Sequence, residues 1–171
     1  MREAQRQAAL TIPDVHILPT TNCAMSDNIH NSAHANLLLG EKLARQVAHD
    51  LIATPAYEAP AIASAVLLPD GRVRLTFEHA GIFVCHSLTA DQCGFTLEDA
   101  DGIIPLTAFQ CTRDDGNQLW LTPSRIPRQN LRVSFAWEAD PVRFPMEDEV
   151  TYLPPLSFYQ YPVTKEGIPH A

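Results

Sequence analysis

Apolar residues in the first third of the chain recur with the period of a helix. Residues 33–53 predict a long helix, because apolar side chains return at every fourth position, at Leu39, Leu43, Val47 and Leu51. Ser32 stands directly before this run and is expected to cap the first turn with its hydroxyl oxygen. Residues 2–10 are rich in helix formers, and Pro13 should end this shorter helix because proline has no amide hydrogen to donate.

The short apolar segment between these helices is "DVHILP", residues 14–19, which we expect to form a strand. A polar loop, "TTNCAMSDNIHNS", connects it to the long helix. Residues 1–55 thus predict the order helix, strand, loop and helix. This order is typical of one strand and its neighbouring helices in an α/β layer.

From about Ala59 the pattern changes to the two-residue period of β-strands. Turn signals separate the alternating runs, and they lie at Pro69-Asp70-Gly71, Asp101-Gly102 and Asp115-Gly116. Glycine suits such turns because it adopts positive φ without a steric clash. Each signal between two short apolar runs therefore predicts a hairpin.

The segment "LRVSFAW", residues 131–137, closes the series of predicted strands with apolar side chains at alternate positions, Leu131, Val133, Phe135 and Trp137. Repeated short strands at this spacing indicate a small all-β, sandwich-like domain over residues 59–171. The stretch "TPAYEAPA", residues 54–61, carries two prolines among small residues and predicts the linker before that domain.

The last residues, 145–171, are rich in proline and aromatic side chains and show no clear period. We expect them to run as an extended strap across a surface, with their aromatic rings buried against the β-domain. An exposed aromatic platform on which a sugar ring stacks is the alternative for the same residues.

Composition and charge narrow the class of partner. An apolar content of 46% is enough for a packed core, and a net charge of −8 without a cluster of Lys and Arg argues against nucleic-acid binding. No apolar run approaches the roughly 20 residues of a membrane span, and the first residues lack the apolar centre of a signal peptide. We therefore expect a soluble globular chain with no membrane span and no visible export signal.

The cysteines, Cys23, Cys85, Cys93 and Cys111, form no C-x-x-C pair and are too few for a disulfide scaffold in a chain of this size. We expect buried thiols at these positions. A Cys85–Cys93 or a Cys85–Cys111 bridge is the alternative, if a precursor is exported.

The polar loop contains the candidate chemistry, because Asp27 and His30 stand three apart directly before the long helix. At this spacing the carboxylate can accept a hydrogen bond from Nδ1 of the imidazole while Nε2 stays free to take a proton from a hydroxyl nucleophile. The pair is a candidate for the base half of a Ser-His-Asp catalytic site. The same spacing also occurs by chance in loops and at helix starts.

A zinc site is the alternative for this loop, since His30 and His34 are four apart and could share one face of a helix. No Glu follows His30 as in the metalloprotease pattern, and a third ligand would have to come from elsewhere. We therefore expect no metal site here and expect His34 to lie on the surface. A Ser-His-Asp mechanism requires neither a metal nor an organic cofactor, so we expect no cofactor.

Four segments occur in the order "REAQRQAALTIPDVH", "DNIHNSAHANLLLGEKLARQVA", "GFTLEDADG" and "RVSFAWEADP". This order resembles the C-terminal part of sialate O-acetylesterase-like enzymes, which belong to the SGNH hydrolases and remove acetyl groups from sugar hydroxyls. The resemblance implies that Asp27 and His30 are the catalytic Asp-x-x-His block of this superfamily. It also implies that residues 1–55 are the last βα unit of a flavodoxin-like hydrolase domain, followed by a C-terminal β-sandwich domain over residues 59–171.

The chain departs from this family in what it lacks. No serine stands in the Gly-Asp-Ser or Gly-Gln-Ser setting of the family's nucleophile, and the oxyanion-hole Gly and Asn blocks are missing. Sialate-type members commonly have proline after the histidine, where this chain has Asn31. A general base without a nucleophile and oxyanion donors supplies no acyl transfer, so we expect the chain alone to be inactive as an esterase.

Our leading hypothesis is therefore the C-terminal portion of a carbohydrate O-acetylesterase that acts on an acetylated sugar. The nucleophile would come from the lost part of a truncated or split reading frame or from a separately encoded N-terminal half. A diverged module that packs its helix on its own β-domain stays open. The resemblance implies an exported protein, in the periplasm, the extracellular space or the lysosome. The alternative function is a non-catalytic β-sandwich module that binds carbohydrate or another partner.

Overall fold

The structure is a computed structural model that describes residues 1–27, 29–52, 57–86, 89–111, 113–138 and 146–166. Two helices come first, α1 (Arg2–Thr11) and α2 (Ala33–Ile52). Both confirm predictions from the sequence, because α1 ends before Pro13 and the Ser32 hydroxyl accepts a hydrogen bond of 3.1 Å from the amide of Ala35. Neither helix combines the length and the apolar character that crossing a bilayer requires.

The strands within the described residues are β1 (Ala61–Leu67), β2 (Val73–Glu78), β3 (Phe83–Cys85), β4 (Phe95–Asp99), β5 (Gly102–Ile104), β6 (Leu106–Gln110), β7 (Gln118–Pro123), β8 (Arg132–Phe135), β9 (Met146–Asp148), β10 (Phe158–Pro162) and β11 (Thr164–Lys165). They form a five-stranded sheet in the order β11-β1-β2-β7-β6, a four-stranded sheet in the order β10-β8-β4-β5, and the pair β3-β9. The pairs are antiparallel except for β1 with β11. The chain is therefore a mixed α/β structure that is mainly β after its two helices.

The predicted hairpins are confirmed. Strands β1 and β2 pair across the turn at Gly71, whose φ is 87°, and β6 and β7 pair across the turn at Gly116, whose φ is 61°. Strands β4 and β5 meet at Gly102, whose φ is 106°. A side chain at these three positions would strain the backbone, which is the physical reason that the turn signals were informative.

The two larger sheets contribute to one hydrophobic core. The five-stranded sheet supplies Val73, Leu75, Phe77, Leu119 and Leu121, and the four-stranded sheet supplies Leu97, Ile104, Val133, Phe135 and Phe158. The rings of Phe95 and Phe135 lie 4.7 Å apart within this core. Each such side chain contributes about 1.5–3 kcal/mol when fully buried, so this core is the main source of stability for the β-region.

The strand predicted at residues 14–19 does not form, and this prediction is wrong. Asp14 adopts a left-handed φ of 59°, and Ile17 and Leu18 pack against a small separate cluster that includes Leu153 and Leu156. A strand exists only beside another strand that takes its hydrogen bonds. No strand of the described residues lies beside this segment.

The predicted alternation in residues 131–137 ends at Ala136. Leu131, Val133 and Phe135 are buried as expected, whereas Trp137 is 42% exposed. The backbone of Ala136 turns to a left-handed φ of 47°, and its amide donates a 3.0 Å hydrogen bond to the carbonyl of Gly94. This turn takes the chain out of β8, so the side chain at position 137 does not continue the inward series.

The tail forms paired strands, β9 to β11, and only part of it matches the predicted strap. Phe158 is buried, but Tyr152 is 60% exposed and Tyr159 is 42% exposed, so the expectation that the tail aromatics are buried is wrong for these two. Residue 145 and residues 167–171 of the tail lie outside the described part of the chain.

The predicted linker, residues 54–61, lies partly outside the described residues, which resume at Tyr57. Tyr57 and Ala59 are buried beside Leu153 and Leu156. This end of the segment is therefore packed. The division into domains at this segment stays a prediction.

The cysteines differ from the main expectation. Cys85, at the end of β3, forms a disulfide with Cys111, directly after β6, whereas Cys23 and Cys93 are buried thiols. The pairing is one of the two bridges that the sequence left open. It closes a loop across 26 positions and ties the small β3-β9 pair to the five-stranded sheet.

Asp99 joins the β4-β5 turn to the segment after β7. Its solvent-inaccessible carboxylate accepts hydrogen bonds of 2.6 and 2.8 Å from Arg125 and one of 2.8 Å from the amide of Arg128. The Arg125 guanidinium, with the Arg128 amide, holds the pKa of this carboxyl well below its ordinary value. The ionised form is therefore favoured in the folded chain.

We expect the Asp99→Asn variant to lose less stability on acidification than the parent. A carboxyl whose pKa is lowered by folding stabilises the fold above its ordinary pKa of about 4, and this contribution is lost as the pH falls towards the lower folded value. The free energy of unfolding, measured with urea between about pH 5 and pH 2, should fall less steeply with decreasing pH in Asp99→Asn than in the parent. Asp114→Asn, at an exposed position, is the control, and equal slopes for both variants would contradict the prediction.

Candidate functional site

The loop before α2 closes on itself as a narrow turn. Met25 and Asn31 form an isolated antiparallel bridge, and the amide of Ser26 donates a 2.8 Å hydrogen bond to the carbonyl of His30. The amide of Ser32 donates to the carbonyl of Ala24 at 2.9 Å. The backbone on both sides of the candidate residues is therefore fixed by local hydrogen bonds.

The two candidate residues are in contact. Asp27 Oδ2 lies 2.8 Å from His30 Nδ1, and the other carboxylate oxygen accepts hydrogen bonds of 2.8 Å from the amides of both Ile29 and His30. The side chains are 55% and 68% exposed, respectively. The hydrogen bond that the spacing allowed is thus present on an open surface, whereas a catalytic role for the pair stays a prediction.

The electrostatics of the pair favour an ionised acid beside a histidine. The pKa of the Asp27 carboxyl is lowered, first by the hydrogen bond from the Ile29 amide and then by those from the ring and the amide of His30. An ionised carboxylate accepts a hydrogen from Nδ1, and a neutral imidazole then carries its basic lone pair on Nε2. In the described part of the chain, no group forms a hydrogen bond with that Nε2.

Within the described residues, the hydrogen bonds of the neighbouring serines do not complete an acyl-transfer site beside the pair. Ser26 donates its hydroxyl to the carbonyl of His30 at 3.2 Å, and the hydroxyl of Ser32 caps α2. Among residues the structure describes, no serine hydroxyl forms a hydrogen bond with the ring of His30. The arrangement can therefore accept a proton from a hydroxyl, but the described loop does not provide that hydroxyl.

The zinc alternative gains no support from the geometry. His34 is exposed in the first turn of α2, as predicted, and the described residues contain no group of three His, Cys, Asp or Glu side chains that could hold a metal ion.

Helix α2 is anchored through polar side chains on its inner face. Lys42 is buried, and its ammonium donates to the carbonyl of Pro19 at 3.0 Å and to the side-chain oxygen of Asn22. Burial lowers the pKa of this ammonium. Gln46, one turn further along, is also buried and donates to Asp50 at 3.1 Å. This role of Lys42 could not be predicted from the sequence, because a lysine on a helix is normally exposed to solvent.

The apolar face of α2 points to solvent. Leu43 and Val47, members of the predicted apolar stripe, are about half exposed, and Leu51 at its end is 79% exposed. Leu37 is 75% exposed, and a side chain at Gly40 would meet no atom within 4 Å. A helix of a globular protein ordinarily turns its apolar stripe to the core. The face formed by Leu37, Gly40, Leu43, Val47 and Leu51 is called the outer face of α2 below.

The fold of this chain is similar to that of part of a solved enzyme structure. No protein-family model and no curated protein matches the chain. A carbohydrate acetylesterase from Xanthomonas citri matches with a TM-score of 0.61 and 19% identity, over 81% of this chain and 30% of the acetylesterase. At this identity the similarity shows a shared fold. The chain is therefore structurally similar to part of a carbohydrate acetylesterase, and it spans less than a third of that protein's length.

Two crystal structures of the S-layer protein SbsC also match. They are 11% and 9% identical over 81% and 84% of this chain and over 17% and 32% of their own lengths, with TM-scores of 0.43. These TM-scores are too low to indicate a shared fold.

We expect Lys42→Ala to lower the free energy of unfolding by about 1–3 kcal/mol, because the carbonyl of Pro19 and the side chain of Asn22 lose their donor in a buried place. Thermal or urea unfolding, followed by circular dichroism, measures the change. Lys165→Ala, at an exposed position of β11, is the matched control and should be close to neutral. Equal effects of the two substitutions would contradict the anchoring role of Lys42.

Proposed function

We propose that this chain is the C-terminal part of a carbohydrate O-acetylesterase of the sialate O-acetylesterase-like, SGNH type. In this proposal, Asp27 and His30 are the acid and base of a Ser-His-Asp site, whereas the serine and the oxyanion donors lie on an α/β hydrolase portion outside this sequence. The observation that carries the proposal is the 2.8 Å hydrogen bond between Asp27 and His30 on an exposed surface. The similarity in fold to part of a carbohydrate acetylesterase supports it.

The proposed reaction transfers the acetyl group in two steps. The serine oxygen attacks the carbonyl carbon of an acetylated sugar, His30 Nε2 takes the hydroxyl proton, and the same nitrogen then gives it to the sugar oxygen as the ester bond breaks. Asp27 holds the imidazole in the required tautomer and stabilises the imidazolium that forms. Water repeats the sequence on the acetyl-enzyme and releases acetate. The exposure of the His30 ring agrees with a nucleophile that comes from another part of the assembly.

The outer face of α2 is where we propose that the hydrolase portion docks. Helices of α/β domains bury their apolar stripe against the parallel sheet, and here the stripe lies open. Gly40 lies among the exposed leucines, so a neighbouring backbone can approach closely at that point.

The disulfide fits the expectation of an exported protein. Bridges such as Cys85–Cys111 form and persist in oxidising compartments. The acetylated sugar, the separately encoded or adjoining N-terminal half and the export of the protein are all parts of this proposal.

Complementation tests the catalytic part of the proposal. The coding region directly upstream should encode an α/β hydrolase portion with a Gly-x-Ser block, and the portion it encodes should be produced together with this chain. The assembly is expected to release acetate from at least one of two substrates, acetylated xylan and O-acetylated sialic acid, as measured by an acetate assay. His30→Ala should lower the rate at least about a thousandfold, because the general base is removed.

His34→Ala is the matched control, since this exposed histidine lies one helical turn further along and should leave the rate nearly unchanged. Comparable activity of the His30→Ala and His34→Ala assemblies would refute the assignment. Failure to find any serine-bearing hydrolase portion that binds this chain would refute the proposed division of the active site.

The docking part of the proposal makes a separate prediction. Leu43→Glu combined with Val47→Glu should abolish co-purification with the hydrolase portion, because carboxylates cannot be buried against an apolar surface without a large cost. The melting temperature of this chain alone should change little, since both side chains are about half exposed. Arg45→Glu, at another exposed position of α2, is the control and should still co-purify; retained binding by the Leu43→Glu and Val47→Glu variant, or equal loss of binding in the control, would contradict the docking model.

A further inference from the structure

An exposed aromatic pair lies at the edge of the four-stranded sheet, in a part of the molecule that the proposed esterase site does not use. The rings of Trp137 and Tyr159 have centroids 4.9 Å apart and planes inclined by 43°. Both residues are 42% exposed, whereas Phe135 and Phe158, their close neighbours in the chain, are buried in the core. Tyr159 lies in β10 and Trp137 follows the end of β8, so the pair lies at the edge of this sheet and is open to solvent.

Two irregularities of the backbone place these rings on the surface instead of in the core. At Ala136 the left-handed φ of 47° takes the chain out of β8 and leaves Trp137 on the surface. In β10 the pairing register shifts between Phe158 and Tyr161, and Gln160 has a φ of 53°. Such bulges are local features that re-aim side chains and are frequent beside binding sites.

Polar groups that can bind hydroxyls surround the rings. Arg2 uses its Nη1 to donate to the carbonyls of Ala136 and Glu138, at 3.0 and 2.6 Å. Within the described residues, its other guanidinium nitrogens have no hydrogen-bond partner and can act as donors. The Glu138 carboxylate accepts from Thr96 through one oxygen, at 3.3 Å, and its second oxygen can accept from a ligand.

A groove of about 230 Å³ runs beside the pair and is lined by Arg2, Glu3, Trp137, Ser157 and Tyr159, among others. This volume is below the range of roughly 300–1,000 Å³ that is typical of sites for drug-sized molecules. Arg2 and Glu138 carry opposite charges, and Glu3 is paired with the buried Arg6, so the charges beside the groove balance. The groove therefore suits a small, uncharged unit with one apolar face and several hydroxyls.

We infer that Trp137 and Tyr159 form a binding platform for a neutral pyranose ring of a glycan chain. The C–H face of the sugar would stack on the aromatic rings, whose negative faces attract such hydrogens. Arg2 would donate to one ring hydroxyl and Glu138 would accept from another. The platform holds a polysaccharide without cleaving it, so it goes beyond the proposed esterase activity and does not depend on it.

Binding to the full chain alone tests this inference. Cellohexaose, xylohexaose and chitohexaose are titrated at millimolar concentration, and the fluorescence of Trp137 is followed in a Trp120→Phe background, which removes the other tryptophan. Saturable binding of at least one hexasaccharide is expected. Trp137→Ala and Tyr159→Ala, followed by calorimetry, should weaken it about tenfold or more, whereas Tyr159→Phe should retain it because the ring persists.

Tyr152→Ala is the control, since this tyrosine is even more exposed and lies outside the pair and its groove. Both aromatic variants change exposed side chains, and thermal unfolding verifies that each remains folded. Absence of saturable binding to all three sugars, or undiminished binding by a folded Tyr159→Ala variant, would overturn the inference. The platform test uses this chain alone and sugars without acetyl esters, whereas the esterase test requires the hydrolase portion, so the two proposals can fail independently.

Discussion

The position of the candidate site depends on one buried charge. The ammonium of Lys42 donates to the carbonyl of Pro19 and the side chain of Asn22, both in the segment that leads to the Asp27 loop. A charge removed from water is tolerated only when such acceptors replace the water, because the cost of leaving it unpaired is several kcal/mol or more. Helix α2 therefore cannot turn about its axis without losing these contacts. This constraint selects the inner face of α2 and fixes where His30 stands.

The outer face of α2 follows from the same constraint. With Lys42 and Gln46 turned inward, the apolar side chains at Leu43, Val47 and Leu51 must lie towards solvent. The candidate site is also incomplete within the described loop. Its acid and base, Asp27 and His30, are in contact, but no nucleophile of the loop is bonded to the His30 ring. Both observations have a common explanation in our proposal, in which a hydrolase portion covers the helix and brings a serine to His30.

The β-region provides a rigid frame that is independent of this incomplete site. Its two larger sheets share a core, and the Cys85–Cys111 bridge ties the small strand pair to the five-stranded sheet. On such a frame, small departures from regular strand geometry have large effects on the surface. The turn at Ala136 changes Trp137 from an expected core residue into an exposed ring, and that ring then meets Tyr159 from the neighbouring strand.

Features that rest on neighbours within a few residues could be predicted from the sequence. The extent of α2, the cap at Ser32, the hairpin at Gly71 and the contact between Asp27 and His30 all involve groups at most a few positions apart, so local geometry was enough. Features that depend on distant groups could not. In the part of the chain that the structure describes, no strand pairs with residues 14–19, Cys85 has one partner among several candidates, and Lys42 is bonded to residues 20 or more positions away. The chain encodes the apolar stripe of α2, but only packing reveals that this stripe faces outward, because burial is a property of everything that surrounds a residue.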